Sequence, residues 1–238
     1  MSTTLPSSSL DVVLEARIRE PEGAWVQPRG LAILAHRGSM SDHVISSVSR
    51  LLSELGFRTV RFNSRGVGAS QGKGSWTGET EAADYLAVTK TSIADFSQAY
   101  PAAKDCQLLI GYSAGAMYAS AVLQPTLSPM FDSARLCLFV SYPLDKLWAL
   151  SAFGTRKWTR RMEQIAQSKD HRTLLIQGTE DQFTNHTNYE KWCGRLATVS
   201  ETNHLHMVTV EGADHFWRTR EHLGGLIEAI RTWADTVK

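Results

Sequence analysis

The sequence predicts an α/β fold, with a mostly parallel central sheet and helices on both of its faces. Two observations lead to this prediction. Short apolar runs alternate with helix-like segments along most of the chain, as they do when strands are connected by helical crossovers. In addition, runs such as LAILA at 31–35 and CQLLIG at 106–111 are almost wholly apolar, which is typical of strands covered on both faces.

Seven strands are expected. The first alternates apolar and polar residues in part, as a half-buried strand does, and a turn-rich connection follows it. The others are short apolar runs that each precede a polar or glycine-containing loop. The predicted strands lie at 10–19, 31–35, 58–62, 106–111, 134–141, 173–178 and 205–211.

Six helical segments separate these strands. Ser41 or Asp42 can cap the first, and Gly56 lies where that helix would stop. Pro101 and Pro125 set the ends of the second and third helices. The predicted helices lie at 41–57, 79–99, 114–124, 144–168, 187–199 and 218–236, of which the fourth has a mixed pattern.

Composition and length restrict the class of protein. The 238 residues contain 42% hydrophobic and 21% charged residues, as in a soluble globular protein. We expect one domain over residues 1–238, with residues 1–9 as a flexible N-terminal segment. A formal net charge of +1 gives no strong field for binding nucleic acid or an anionic membrane, so neither is expected as a partner.

The cysteines and histidines give no metal signature. Cys106, Cys137 and Cys193 form no CxxC pair, and an odd number cannot all pair within the chain. No HExxH or comparable spacing occurs. We therefore expect no metal, no cofactor and a reducing compartment, with the cytoplasm as the location.

The segment GYSAGA at 111–116 is the first candidate for chemistry. In parallel sheets, ligands bind beyond the carboxyl ends of the strands, and Ser113 follows a predicted strand directly. Gly111 and Gly115 give the pattern GxSxG, in which small neighbours allow a tight turn from strand to helix. This context favours a nucleophilic serine over a simple turn residue.

A nucleophilic serine needs a base and a group that orients the base. His215 follows the last predicted strand, and Asp181 follows the strand before it. Glu180 is a second candidate for the acid. Asp214 ranks last because a residue adjacent to the histidine rarely faces the far imidazole nitrogen.

Four segments resemble the α/β-hydrolase superfamily, in particular its small, minimal members: GYSAGA, RFNSRGVGASQGK, IQGTEDQF and GADHFW. The resemblance covers roughly residues 30 to 220. It implies the α/β-hydrolase fold and a Ser113–His215–Asp181 triad. It also implies an oxyanion hole formed by the N–H group of Ala114 and that of Arg37 or Gly38.

The oxyanion loop AHRGSM departs from the family pattern, because Arg37 stands where glycine or proline is usual. Residues 143–170 are expected to form a small lid or none. Residues near strand ends or in this segment are candidates for the substrate pocket: His36, Arg65, Tyr112, Tyr142, Trp148 and Phe216.

The sequence thus predicts a serine hydrolase that acts on an ester or thioester of a small or medium acyl group, with a small-molecule acyl substrate as its partner. Two alternatives stay open at this point. The same triad could serve acyl transfer, elimination or condensation, and the scaffold could be a non-catalytic binding module.

Overall fold

A single eight-stranded sheet organises the molecule. The computed structural model describes residues 2–237 apart from 24, 26, 104–105, 124–134 and 201–203. Within these residues, the strands are β1 Ser2–Pro6, β2 Val13–Arg19, β3 Gly30–His36, β4 Phe57–Phe62, β5 Gln107–Tyr112, β6 Arg135–Val140, β7 His171–Glu180 and β8 Leu205–Asp214.

The strand order across the sheet is β1-β2-β4-β3-β5-β6-β7-β8. The pairs β1–β2 and β2–β4 are antiparallel, and all later pairs are parallel. The carboxyl ends of β3, β5, β6, β7 and β8 therefore meet at one edge of the sheet. Loops that follow these strands can bring their side chains together there.

The described part of the chain contains seven α-helices, of which the first six lie between strands and the last follows β8. They are α1 His43–Glu54, α2 Glu79–Ala99, α3 Ala114–Val122, α4 Leu147–Leu150, α5 Thr155–Gln167, α6 His186–Val199 and α7 Arg220–Thr236. Asp42 caps α1, since its carboxylate accepts hydrogen bonds from the N–H groups of Val44 and Ile45. The predicted end of α3 at 124 and Pro125 lie outside the described residues.

Each face of the sheet has its own apolar core. Helices α1 and α7 cover one face, where side chains such as Leu34, Ile110 and Trp233 are buried. Helices α2, α3, α5 and α6 cover the other, around Ile33 and Met117. This arrangement confirms the predicted α/β fold with helices on both faces of a mostly parallel sheet.

The N-terminal segment differs from its expectation. Residues 1–9 were expected to be flexible, but Ser2–Pro6 form an edge strand paired with β2. The next residues, Ser7 to Ser9, contact a buried ion pair. Arg65 Nη2 donates to the Ser8 and Ser9 hydroxyls at 2.9 and 3.0 Å and to Asp84 Oδ1 at 2.7 Å. These contacts explain why a polar segment is ordered.

The segment 143–170 contains a structural helix rather than a lid. Trp158, Met162 and Ile165 on α5 are buried in the core, so this helix belongs to the layer that covers the sheet. Only the short stretch before it, with α4, lies at the edge beside the loop that follows β7. There the Asp145 N–H group donates to the Phe183 carbonyl at 3.1 Å.

Candidate active site

Ser113 lies at a strained turn between β5 and α3. Its φ and ψ angles are 55° and −127°, a region that non-glycine residues avoid at a cost of roughly 1–3 kcal/mol. A Cβ atom at Gly111 would lie 2.3 Å from Ala116 Cα, and one at Gly115 would lie 2.1 Å from the Ala35 carbonyl oxygen. Only glycine therefore permits this close approach of β3, β5 and α3.

The structure brings Ser113, His215 and Asp181 together from three different strand ends. Ser113 Oγ lies 2.8 Å from His215 Nε2. His215 Nδ1 lies 2.9 and 2.8 Å from the two carboxylate oxygens of Asp181. Because the carboxylate faces Nδ1, the proton of a neutral imidazole resides there, and Nε2 can accept the proton of Ser113.

The Asp181 carboxylate is fixed by the loop that carries it. Its side chain is 0% exposed, and Oδ1 accepts hydrogen bonds from the N–H groups of Phe183 at 2.7 Å and Thr184 at 3.1 Å. A buried charge of this kind is held by its hydrogen-bond partners. The carboxylate therefore keeps a defined direction toward the imidazole.

The two other candidate acids lie elsewhere. Glu180 is exposed at the end of β7. Asp214 accepts from the N–H group of Arg218 at 3.2 Å and pairs with the guanidinium of the same residue at 2.9 Å. Neither carboxylate reaches the imidazole of His215, so Asp181 is the acid that the structure places against it.

The predicted oxyanion donors are the N–H group of Ala114 and that of Arg37 or Gly38. Ala114 begins α3, and the first N–H groups of a helix have no partner within that helix. Gly38 has a φ of 152°, and its N–H group points to the His36 carbonyl at 3.0 Å and to Ser64 Oγ at 3.3 Å. Because those bonds occupy Gly38, Arg37 is the better candidate for the second donor.

The predicted pocket residues divide into two groups. Near the site, Tyr112 is buried and donates its hydroxyl proton to the His215 carbonyl at 2.9 Å, and its ring stacks on His36 at a centroid distance of 4.9 Å. Phe216 is 36% exposed and lies edge-on to His215 at 5.2 Å. Trp148 is 53% exposed on α4.

Arg65 and Tyr142 are core residues, unlike the prediction. Arg65 pairs with Asp84 and borders a small cavity of about 10 Å³, which is too small for a substrate. Tyr142 is 1% exposed, stacks on Trp192 at 5.1 Å and donates to the Trp158 carbonyl at 3.3 Å. Both follow strand ends, but their side chains turn into the helix layer.

Three residues at the site were not predicted. Phe183 stacks on His215 at a ring centroid distance of 4.0 Å. Ser141 and Trp217 have φ angles of 50° and 53°, and Trp217 Nε1 donates to Ser141 Oγ at 3.1 Å. An aromatic residue two positions after Asp181 was the available sequence signal for Phe183. Backbone strain at Ser141 and Trp217 has no such signal.

The two buried cysteines are poor candidates for a nucleophile that would compete with Ser113. Burial raises the pKa of Cys137 to about 12 and that of Cys193 to about 11, so both thiols stay protonated near neutral pH. Cys106 is half-buried and forms no disulfide. Over the described ranges, no three His, Cys, Asp or Glu side chains are grouped so that they could hold a metal ion.

Comparison with known proteins gives the family. The chain belongs to the alpha/beta hydrolase domain family, whose model matches residues 28–235. No curated protein sequence matches the chain significantly. Among the helices that the structure describes, none has the length and apolar character needed to cross a membrane.

Several solved structures share the fold along nearly the whole chain. An alpha-beta serine hydrolase homologue from Coxiella burnetii is 21% identical, covers 98% of this chain and 96% of its own, and has a TM-score of 0.68. A lidless serine hydrolase from Xanthomonas campestris is 24% identical, covers 98% of this chain and 94% of its own, and has a TM-score of 0.69. An esterase domain from Rhodothermus marinus is 20% identical, covers 98% of this chain and 97% of its own, and has a TM-score of 0.68.

Proposed function

We propose that this protein is a serine hydrolase that cleaves an ester or thioester of a small or medium acyl group. The observation that carries the proposal is the continuous chain of hydrogen bonds from Ser113 through His215 to Asp181, with distances of 2.8 Å at each step. It is supported by membership of the alpha/beta hydrolase domain family. The serine hydrolase and esterase names of the structural neighbours agree with it.

In the proposed reaction, Ser113 Oγ attacks the acyl carbon while its proton moves to His215 Nε2. Asp181 stabilises the imidazolium that forms. The N–H groups of Ala114 and Arg37 bind the oxyanion. The imidazolium then protonates the leaving alcohol or thiol, and the acyl group remains on Ser113. Water then loses a proton to His215 and attacks the acyl carbon. The bond to Ser113 Oγ breaks, His215 returns the proton to Oγ, and the carboxylic acid is released.

A pair of exposed aromatic rings on the stretch after β6 is a candidate for contact with an acyl substrate. Trp148 and Phe153 are 53% and 81% exposed, and their ring centroids are 5.9 Å apart. The stretch that carries them is hydrogen-bonded to the loop containing Asp181. Exposed aromatic rings at a site edge can bury the apolar part of a ligand. We therefore assign this pair to contact with the acyl chain.

The test uses the variant Ser113→Ala. We expect it to lose covalent labelling by a fluorophosphonate probe and almost all turnover on a panel of short esters and thioesters, leaving only the rate that binding and the oxyanion donors provide. Labelling and hydrolysis are measured side by side with the wild type.

Ser49→Ala is the matched control for this test. Ser49 is also a buried serine, but it lies on α1 and its hydroxyl meets that of Thr59 at 2.7 Å. This control keeps labelling and turnover if Ser113 is the nucleophile. Wild-type activity in Ser113→Ala, or a wild-type protein that neither labels nor hydrolyses any member of the panel, contradicts the proposed function.

A further inference from the structure

Phe183 is the residue whose ring lies closest to the imidazole of His215. The two ring centroids are 4.0 Å apart, and the planes differ by 20°. The other neighbouring rings are farther or differently oriented: Tyr112 is at 5.9 Å and 29°, and Phe216 is at 5.2 Å and 84°. Phe183 therefore covers one face of the imidazole.

The position of this ring is fixed by its own backbone. The Phe183 N–H group donates to Asp181 Oδ1 at 2.7 Å. Its carbonyl accepts a hydrogen bond from the Asp145 N–H group at 3.1 Å. The residue that covers the base thus also holds the acid, so a single loop conformation places the carboxylate at Nδ1 and the phenyl ring over the imidazole face.

From this geometry we infer that Phe183 is a positioning residue of the hydrolase, one that stabilises His215 when the imidazole becomes charged. The inference rests on the proposed function. An aromatic face attracts a cation placed over it, and this attraction is stronger where water is excluded. The His215 side chain is 1% exposed, so the site meets that condition.

The charge appears only during the reaction. His215 is neutral when the substrate binds and becomes an imidazolium as the proton leaves Ser113. A contact that strengthens in the transition state raises kcat, whereas a contact of equal strength in both states changes KM. The stack on Phe183 belongs to the first kind, because its attraction grows with the positive charge on the imidazole.

Other charged and titratable groups also face His215 and do not change with Phe183. Asp181 pairs with Nδ1, Tyr112 donates to the backbone carbonyl of His215, and His36 interacts with it electrostatically. Asp214 is next to it in the chain and pairs with Arg218. A substitution at Phe183 that preserves the loop leaves all of these in place.

The experiment compares Phe183→Leu, Phe183→Tyr and the wild type on one activated ester. Leucine keeps apolar packing and removes the aromatic face, whereas tyrosine keeps the face. We expect Phe183→Leu to lower kcat about three- to tenfold with less than a twofold change in KM. The ascending limb of its pH–rate profile should move to lower pH. Phe183→Tyr should retain at least half of the wild-type kcat.

Phe96→Leu is the control for a general effect of replacing phenylalanine by leucine. Phe96 is a buried aromatic residue on α2, paired with Tyr100 rather than with the site, and its variant should keep the wild-type kcat and pH profile. The inference is overturned if Phe183→Leu keeps the wild-type kcat, if it changes KM alone, or if tyrosine fails to rescue. If fluorophosphonate probes fail to label the wild-type protein, that result would instead refute the proposed function.

Discussion

At the scale of single residues, the site depends on which of two neighbouring carboxylates faces the imidazole of His215. Asp181 and Glu180 are neighbours in the chain, yet one carboxylate is 0% exposed against His215 and the other lies at the surface. Successive residues at a strand end point in opposite directions. The same acid type therefore has very different environments at two adjacent positions.

The first residue-scale prediction separates these two acids. Asp181→Asn should lower kcat by roughly 10⁴, because an amide no longer selects the imidazole tautomer that accepts the proton of Ser113. Glu180→Gln is the matched control and should change kcat less than about threefold. Steady-state kinetics on the ester that the wild type hydrolyses best gives both values. Equal losses in the two variants would contradict the assigned role of Asp181.

The second residue-scale prediction concerns His36 and pH. Burial lowers the pKa of His36 below its ordinary value of 6.5; nearby Asp42 raises it, and His215 lowers it further. Below about pH 6.5 the unfolded chain binds a proton at this position that the folded protein resists. The free energy of unfolding should therefore fall as the pH drops below 6.5 and stay level above it.

Urea unfolding at pH 5.5 and 7.5 measures this effect. His36→Asn should reduce the difference in unfolding free energy between the two pH values. Burial also lowers the pKa of His171, with the Arg135 charge acting in the same direction, so His171→Asn should reduce the difference as well. A His36→Asn protein with the wild-type pH dependence would show that His36 makes no contribution.

At the scale of elements, the turn from β5 into α3 determines where the nucleophile lies. Gly115 is in contact with the β3 backbone, so α3 starts closer to the sheet than any side chain would allow. The same contact sets the position of Ala114, the first residue of α3 and the proposed oxyanion donor. The position of the helix and that of this proposed donor thus have one cause.

The prediction at this scale compares two helical glycines. Gly115→Ala should destabilise the protein by more than about 2 kcal/mol, because its Cβ atom would lie 2.1 Å from the Ala35 carbonyl oxygen and α3 would have to move. Gly194→Ala should stabilise it by about 0.5–1 kcal/mol, since Gly194 lies on α6 and a Cβ atom added there would have no neighbour within 4 Å. Chemical denaturation measures both changes, and a harmless Gly115→Ala would contradict the close approach.

At the scale of the whole molecule, a buried ion pair connects distant parts of the chain. Arg65 follows β4, Asp84 lies on α2, and Ser8 precedes β2. The Ser8 N–H group and hydroxyl both donate to Asp84 Oδ1, at 2.8 and 2.7 Å. The antiparallel edge of the sheet is therefore attached to the helix layer through this pair.

The whole-molecule prediction is a large loss of stability in Asp84→Asn. Removing one charge of a buried pair leaves the other without compensation and typically costs about 3–5 kcal/mol. The control is Glu22→Gln, which breaks the exposed pair with Arg19 and should cost less than about 1 kcal/mol. Thermal and urea unfolding measure both variants, and similar stabilities would contradict a structural role for the Arg65–Asp84 pair.

Much of the fold could be predicted because its signals are local. Apolar runs such as 31–35 and 173–178 correspond to central strands with cores on both sides. GxSxG predicted the β5–α3 turn from the requirement for small residues on both sides of Ser113. The order Ser113, then Asp181 or Glu180, then His215 followed from strand ends that parallel pairing brings to one edge.

Other features depended on contacts distant in sequence. Ser2–Pro6 are too polar to predict as a strand, and pairing with β2 makes them one. Arg65 and Tyr142 follow strands as pocket residues do, but buried partners on α2 and α6 turn them inward.

The sequence by itself determined the α/β class, the turn that carries Ser113 and the side-chain types available at the strand ends. The spacing and type of residues are enough to predict these three features, because the features depend on local backbone preferences and on which residues are buried. Only the tertiary structure decided that Asp181 rather than Glu180 faces His215 and that the Gly38 N–H group is already engaged. It also decided that Phe183 covers the imidazole. These depend on directions of side chains and N–H groups, which are set by packing between segments far apart in the chain.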